Sequence, residues 1–244
     1  SPAADKRNDL IFDVLRLVRS VRPRVVLIEN VPGLAKDDRF GRFREGLRRS
    51  GYQSDYRVLN ACNFGVPQRR KRLVMVACRN RTVPCSWWEH SSTRVTVRSA
   101  ISGLPPAGSS GDALHDLRAR RSPDVLARIR DTPRDGGSRT DRAQQLPCHS
   151  RGAGYSDVYG RMAWDREAPT ITSGCHNPSR GRFLHPEEDR AITLREAALL
   201  QSFPAEYAFD LTRGKEHVAR QIGNAFPPPL IVPIASAISR SLER

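Results

Sequence analysis

An α/β sheet layer followed by a long irregular region is the fold class that this sequence predicts, on three observations. Strand-like apolar runs alternate with amphipathic helical stretches up to about residue 80. Regular patterning lapses from about Arg81 to about residue 160, and it resumes at Ile192. At 244 residues the chain can hold one large core or two modest ones, so length leaves both organisations open.

Asn8 and Asp9 are cap-type residues ahead of Leu10, Ile11, Val14, Leu15 and Val18, an apolar stripe at helical spacing. After Pro23 the run Val25-Val26-Leu27-Ile28 is continuous and rich in β-branched residues, as in strands buried on both faces. A second helix sets Phe40, Phe43 and Leu47 on one side and stops at Ser50-Gly51. Tyr52 to Leu59 and Leu73 to Ala77 read as further strands. Short links between strand, helix and strand predict a mostly parallel sheet, with an antiparallel last strand left open. Beyond Arg81, Trp87-Trp88, Pro105-Pro106 and Gly136-Gly137 break the chain into short pieces of an irregular second domain. A disordered basic insertion is the competing reading, and recurring aromatic and apolar residues speak against it. Thr193 and Glu196 have capping-box spacing for a helix through Gln201. A last helix from about Pro229 sets Leu230, Ile231, Ile234, Ala235, Ile238 and Leu242 on one broad side.

The chain carries 41 Lys and Arg against 26 Asp and Glu, a net charge of +15 that a polyanionic partner would relieve. Nucleic acid is the first candidate. Arginine dominates the cations, Lys6, Lys36, Lys71 and Lys215 being the only lysines, but a codon bias would give the same skew. Five scattered cysteines without a C-x-x-C pair, and no secretory pattern, suit a soluble protein in a reducing interior. The longest apolar stretch, near Leu230 to Ile238, is broken by Pro233 and too short for a bilayer, so no membrane partner is expected.

Glu29-Asn30-Val31-Pro32-Gly33 ends the first strand, which places a carboxylate where α/β sheets hold their sites. Alone, this would be a strand-end turn with a solvated Glu. Downstream, Asn60-Ala61-Cys62-Asn63-Phe64-Gly65-Val66-Pro67-Gln68-Arg69-Arg70-Lys71-Arg72 runs straight into the strand Leu73 to Ala77. Four successive cations are ordinarily a solvated patch. In extended chain leading into a strand, however, Arg70 and Arg72 share a face and can project toward one pocket.

Glu29-Asn30-Val31 and Gln68-x-Arg70-x-Arg72 resemble motifs VI and VIII of the cytosine-5 DNA methyltransferases, in the right order and at fitting separation. Arg195-Glu196-Ala197-Ala198-Leu199-Leu200-Gln201-Ser202-Phe203-Pro204 resembles motif IX of that family, and Gln221-Ile222-Gly223-Asn224-Ala225-Phe226-Pro227-Pro228 resembles motif X. The basic variable stretch falls where the family keeps its target recognition domain. The resemblance implies an incomplete Rossmann-like methyltransferase sheet with a second, smaller, loop-rich target recognition domain. Residues 1–80 would belong to the catalytic α/β domain, 81–217 to the recognition domain, and 218–244 to motif X and a helix returning to the catalytic domain.

The implied activity flips a cytosine out of double-stranded DNA, attacks C6 with a cysteine thiolate, and moves a methyl group from S-adenosyl-L-methionine to C5. The resemblance gives Glu29 the cytosine N3, Arg72 the O2, and Arg70 the ordering of the site or nearby backbone. It gives Gln68 and Arg69 contact with DNA, and Gly223, Asn224 and Ala225 contact with the cofactor. Arg195, Glu196 and Phe203 would organise the recognition domain, while Phe226 and Ile231 belong to the core.

The family's Gly-rich cofactor strand and Pro-Cys-Gln loop do not occur among these residues. Pro84-Cys85 and Pro147-Cys148 are followed by the wrong residues, and Cys62 reads as incidental. Cys148-His149 and Cys175-His176 lack zinc-ligand spacing, so no metal is expected. The segment Ala4 to Leu10 resembles the stretch that lies a short interval beyond the family's Pro-Cys loop. The nucleophile is therefore expected just upstream of Ser1, in the same chain or in a partner subunit, and the chain alone is expected to be inactive. A bacterial cytoplasmic, nucleoid-associated enzyme of a restriction-modification or orphan methylation system is the leading expectation. A non-catalytic DNA-binding remnant is the rival, with an RNA-methylating role as a minor third.

Overall fold

The computed structural model describes residues 9–80, 82–83, 94–117, 119–138, 141 and 157–243. Trp87-Trp88, Cys85 and Cys148 lie outside the described residues. The chain divides into two units, one of Ser1–Asn60, Lys71–His90 and Val232–Arg244, the other of Ala61–Arg70 and Ser91–Ile231. Residues 61–70 and 218–231 thus group with the loop-rich region, which makes that unit the longer of the two in sequence.

In the first unit, helix α1 (Leu10–Val21) buries Leu15 and Val18 and ends where Arg22 turns left-handed, its amide bonding back to the Val18 carbonyl. Asp9 holds the N-cap position, but its side chain makes no capping bond. It pairs with Arg39 at 3.4 Å instead. Strand β1 (Val25–Asn30) leads through a 3₁₀ turn at Pro32–Lys36 to helix α2 (Asp38–Arg49), capped by the Asp37 carboxylate on the Arg39 amide. Strands β2 (Tyr52–Asn60) and β3 (Lys71–Arg79) complete a three-stranded sheet in the order β1-β3-β2.

Both pairings are antiparallel, through the antiparallel last strand that the sequence left open and in place of the mostly parallel bonding expected from it. The link from β1 through α2 to β2 does leave those strands running the same way. β3 then enters the slot between them from the opposite direction, so no parallel pair is bonded within this sheet among the described residues. The run of Leu73 to Cys78 in β3 is buried throughout, whereas in β1 only Val26 is. Burial on both faces, expected for β1, belongs to the central strand, because β1 sits at a sheet edge. Alternation puts Leu73, Met75 and Ala77 in a core with Leu15, Val18, Phe40, Phe43 and Leu47. Arg72 and Val74 therefore face away from α1 and α2.

The second unit has no named strand among its described residues, only short helices and isolated bridges. Helices α3 (Val97–Ile101), α4 (Ala113–Asp116) and α5 (Pro123–Asp131) precede α6 (Leu194–Leu200) and α7 (Lys215–Asn224). The Thr193 and Glu196 capping box starts α6 as its spacing predicts. Ile171, Leu194, Leu200, Val218 and Ile222 share one apolar core. Arg195, in the motif IX stretch, spans from the Asp112 carboxylate to the Tyr207 carbonyl at 3.0 Å. Helix α8 (Pro228–Leu242) contains Pro233 and carries the chain from the second unit into the first. No single described helix is long and apolar enough to cross a membrane.

Candidate active site and nucleic-acid interface

The register of β1 against β3 sets Glu29 opposite Val74 and Asn30 opposite Leu73. Arg72 lies two residues from Val74 on the same face, so it is the diagonal neighbour of Glu29, within reach of a long side chain. The Arg72 Nε and a Glu29 carboxylate oxygen meet at 2.8 Å. Arg72 also donates to the Lys71 carbonyl at 2.8 Å, which fixes the guanidinium plane. Burial pulls the Arg72 guanidinium below its ordinary pKa, and the Glu29 carboxylate works against that shift. The pair is only partly buried, with Arg72 at 15% and Glu29 at 30% side-chain exposure, so both groups keep atoms open to a ligand. An acidic and a basic group held side by side can address two adjacent polar atoms of one planar ring.

Arg70 goes elsewhere. It precedes β3, is buried, and donates to the Ile171 carbonyl at 2.9 Å and the Gly223 carbonyl at 2.8 Å. The guanidiniums of Arg70 and Arg72, expected to project together, have different partners, and those of Arg70 are backbone carbonyls. Gln68 is corrected more sharply. Its side chain is fully buried, accepting from the Ile171 amide at 2.9 Å and donating to the Leu200 carbonyl at 3.1 Å and to Gln201. Nothing of its amide is left for DNA. Arg69, between them, is exposed while its backbone bonds to Ala168, so it alone of the two proposed DNA contacts presents its side chain to solvent.

Gln201 continues this network by donating to the Ile222 and Ala225 carbonyls at 3.0 and 2.6 Å. Sequence reasoning misses this role, although the place of Gln201 in the Leu-Leu-Gln-Ser-Phe-Pro run is a usable signal. Gly223 is buried in α7, and the space a Cβ would fill is taken by the backbone of Thr172 and Ser173. Its missing side chain is thus explained by packing, with its carbonyl occupied by Arg70. The Ala225 carbonyl is likewise engaged by Gln201, and only the exposed Asn224 offers a side chain to a ligand.

Gly223→Ala should destabilise the protein by about 1 to 3 kcal/mol, because backbone on the far side cannot yield as a side-chain tip could. Denaturant titration followed by circular dichroism measures this, and a midpoint equal to wild type would refute the packing role.

Cys62 and Cys175 are poorly suited to nucleophilic work. Burial pushes the Cys175 thiol up to about 12, and burial, helped by Glu167, raises Cys62 as well.

The family model described as C-5 cytosine-specific DNA methylase matches residues 2–240. The Type II methylase M.HgiDII of Herpetosiphon aurantiacus is 39% identical over 249 aligned residues, covering 96% of this chain and 70% of the relative. The Type II methyltransferase M1.BsuMI of Bacillus subtilis (strain 168) is 34% identical, covering 93% of this chain, which spans only 53% of that relative's length. Among solved structures, one described as a candidate DNA modification methyltransferase encoded within a prophage (E. coli) superposes with a TM-score of 0.72 at 23% identity. That likeness covers 98% of this chain and 76% of the other, and it concerns the fold, a methyltransferase sheet present here in part. With the motifs in order and the match running over almost its whole length, the chain belongs to the C-5 cytosine-specific DNA methylase family.

Proposed function

We propose that Glu29 and Arg72 hold the N3 and O2 atoms of a cytosine flipped out of double-stranded DNA, in an enzyme that methylates its C5 from S-adenosyl-L-methionine. The observation that carries this reading is their 2.8 Å pairing on the sheet face away from α1 and α2. Glu29 protonates or hydrogen-bonds N3, and Arg72 withdraws charge through O2, so the ring becomes open to attack at C6. Arg70 is a positioning residue that acts through backbone carbonyls. The Type II relatives favour a restriction-modification setting in a bacterial cytoplasm.

The nucleophilic cysteine and the Gly-rich cofactor strand come from a polypeptide segment other than these 244 residues. The edge of β1, which has no second partner strand among the described residues, supports this, as do Leu27 on that strand and Leu10, Leu17 and Val21 on α1, all exposed. An open strand edge beside exposed apolar side chains is a place for further sheet to add. Mixing the protein with a polypeptide that carries the Gly-rich strand and Pro-Cys-Gln loop should give tritiated methyl incorporation into DNA, with none from the 244 residues alone. Incorporation by the chain alone, or none from the mixture while DNA is still bound, would overturn the reading; the second result would mark a non-catalytic DNA-binding module.

A further inference from the structure

We propose that a cleft between the Thr172–Gly174 loop and helix α7 receives a backbone phosphate of the DNA duplex, with Arg180 and Arg220 as its ligands. The proposal rests on the DNA-methylating function above and adds a site within the second unit. The cleft has a volume of about 910 Å³ and is lined by Thr172, Ser173, Gly174, His176, Arg180 and Arg220, among others.

Its walls are fixed by three independent ties. Gly223 of α7 packs directly on the Thr172 and Ser173 backbone, where a Cβ would not fit. The Arg70 guanidinium bonds at once to the Ile171 carbonyl at the base of the loop and the Gly223 carbonyl on the helix. His176 Nε2 meets a Glu216 carboxylate oxygen at 3.0 Å, linking loop to helix again. A site held this way keeps its width when a ligand arrives.

The charges in the cleft are unbalanced. Its carboxylate, Glu216, is engaged by His176. Arg180 and Arg220 are exposed, and among the described residues neither has a carboxylate within ion-pair distance. The neighbouring Arg161, Arg182, Arg190 and Arg195 of the same unit are all paired with acids. Two uncompensated guanidiniums lining one cleft repel each other unless an anion joins them. Gly174 permits the stem of Arg180 to lie along the loop, since a Cβ there would come within 2.9 Å of the Arg180 Cβ. The exposed Thr172 hydroxyl accepts from the Gly174 amide at 3.3 Å, which leaves its proton to donate.

A phosphodiester suits this site because forked guanidiniums and a hydroxyl donate toward it, while the Glu216 carboxylate on the same wall is tied to His176 through one oxygen. Contacts of that kind position the duplex without reading its sequence. The stretch that resembles motif X then has a duty besides the cofactor: Arg220, just ahead of it on α7, holds DNA, and Gly223 sets the width of the cleft.

Fluorescence anisotropy with a labelled duplex, titrated over a salt series, tests this. Arg180→Ala combined with Arg220→Ala should lower the slope of log affinity against log salt by about 0.9, the release expected for one phosphate. Affinity should fall about tenfold, equally on target and unrelated duplexes, and lysine at both positions should restore the slope. Both arginines are exposed, so the melting temperature should not move. A wild-type slope in the double alanine variant would overturn the cleft and leave the DNA-methylating reading standing. Absence of salt-dependent DNA binding by the wild-type protein would overturn both.

Discussion

Glu29→Gln in the reconstituted enzyme is expected to lower turnover by about 100-fold to 10,000-fold while DNA affinity stays within about twofold. The substitution keeps the size of the side chain and a hydrogen-bonding oxygen beside Arg72, but it removes the group that can give a proton to N3. Arg72 would lose an anionic partner at 2.8 Å, and since its side chain is only 15% exposed some loss of stability should accompany the change. That secondary loss separates two explanations. If Glu29 served only to neutralise Arg72, the damage would appear as a lower melting temperature and turnover at permissive temperature would survive. If Glu29 serves the ring, turnover falls even where the protein is fully folded. An unchanged turnover number on folded protein removes Glu29 from the chemistry.

The meeting of Glu29 and Arg72 was implied by the resemblance to motifs VI and VIII, and what the residues themselves made legible was the place of each at a strand end, beside a continuous apolar run. Neighbour relations between strands were not legible. Nothing local in Val25 to Ile28 or Tyr52 to Leu59 says that β3 will stand between them, since that choice is made by pairings distant in sequence. Alternation also set Arg70 apart from Arg69 in direction, and in the structure Gln68 falls on the buried side with Arg70. It could not say which side meets protein, and the side that does carries the two polar residues. Those polar groups are buried against carbonyls from α6, α7 and the Ile171 segment, and a cationic string gives no hint of such partners. The α6 capping box, by contrast, is a strictly local interaction and was fully visible.

The same blindness to buried cations hides Arg161, whose replacement should have the largest effect on stability. Its side chain has no exposed surface, yet the guanidinium donates to the Ile129, Thr132, His185 and Glu188 carbonyls at 2.8, 2.8, 3.0 and 2.6 Å and to the Asp189 carboxylate at 2.7 Å. Burial lowers its pKa from the ordinary arginine value, and the Asp189 carboxylate opposes the shift. One planar group therefore ties the end of α5 to the 185–189 segment. Arg161→Met would approximate the volume and remove the charge, but it would take their donor from the Thr132 and His185 carbonyls and leave the Ile129 and Glu188 carbonyls and the Asp189 carboxylate with only the Thr132 amide, the Arg190 amide and Arg134. We expect a loss of about 3 to 5 kcal/mol, which corresponds to a melting temperature lower by roughly 10 °C or more in a protein of this size. Arg161→Lys should fare little better, because one ammonium has three donors and cannot span the fork. Calorimetry of the two variants decides the matter: a lysine variant melting within about 2 °C of wild type would show that charge alone, and not the five-way bonding pattern, holds these segments together.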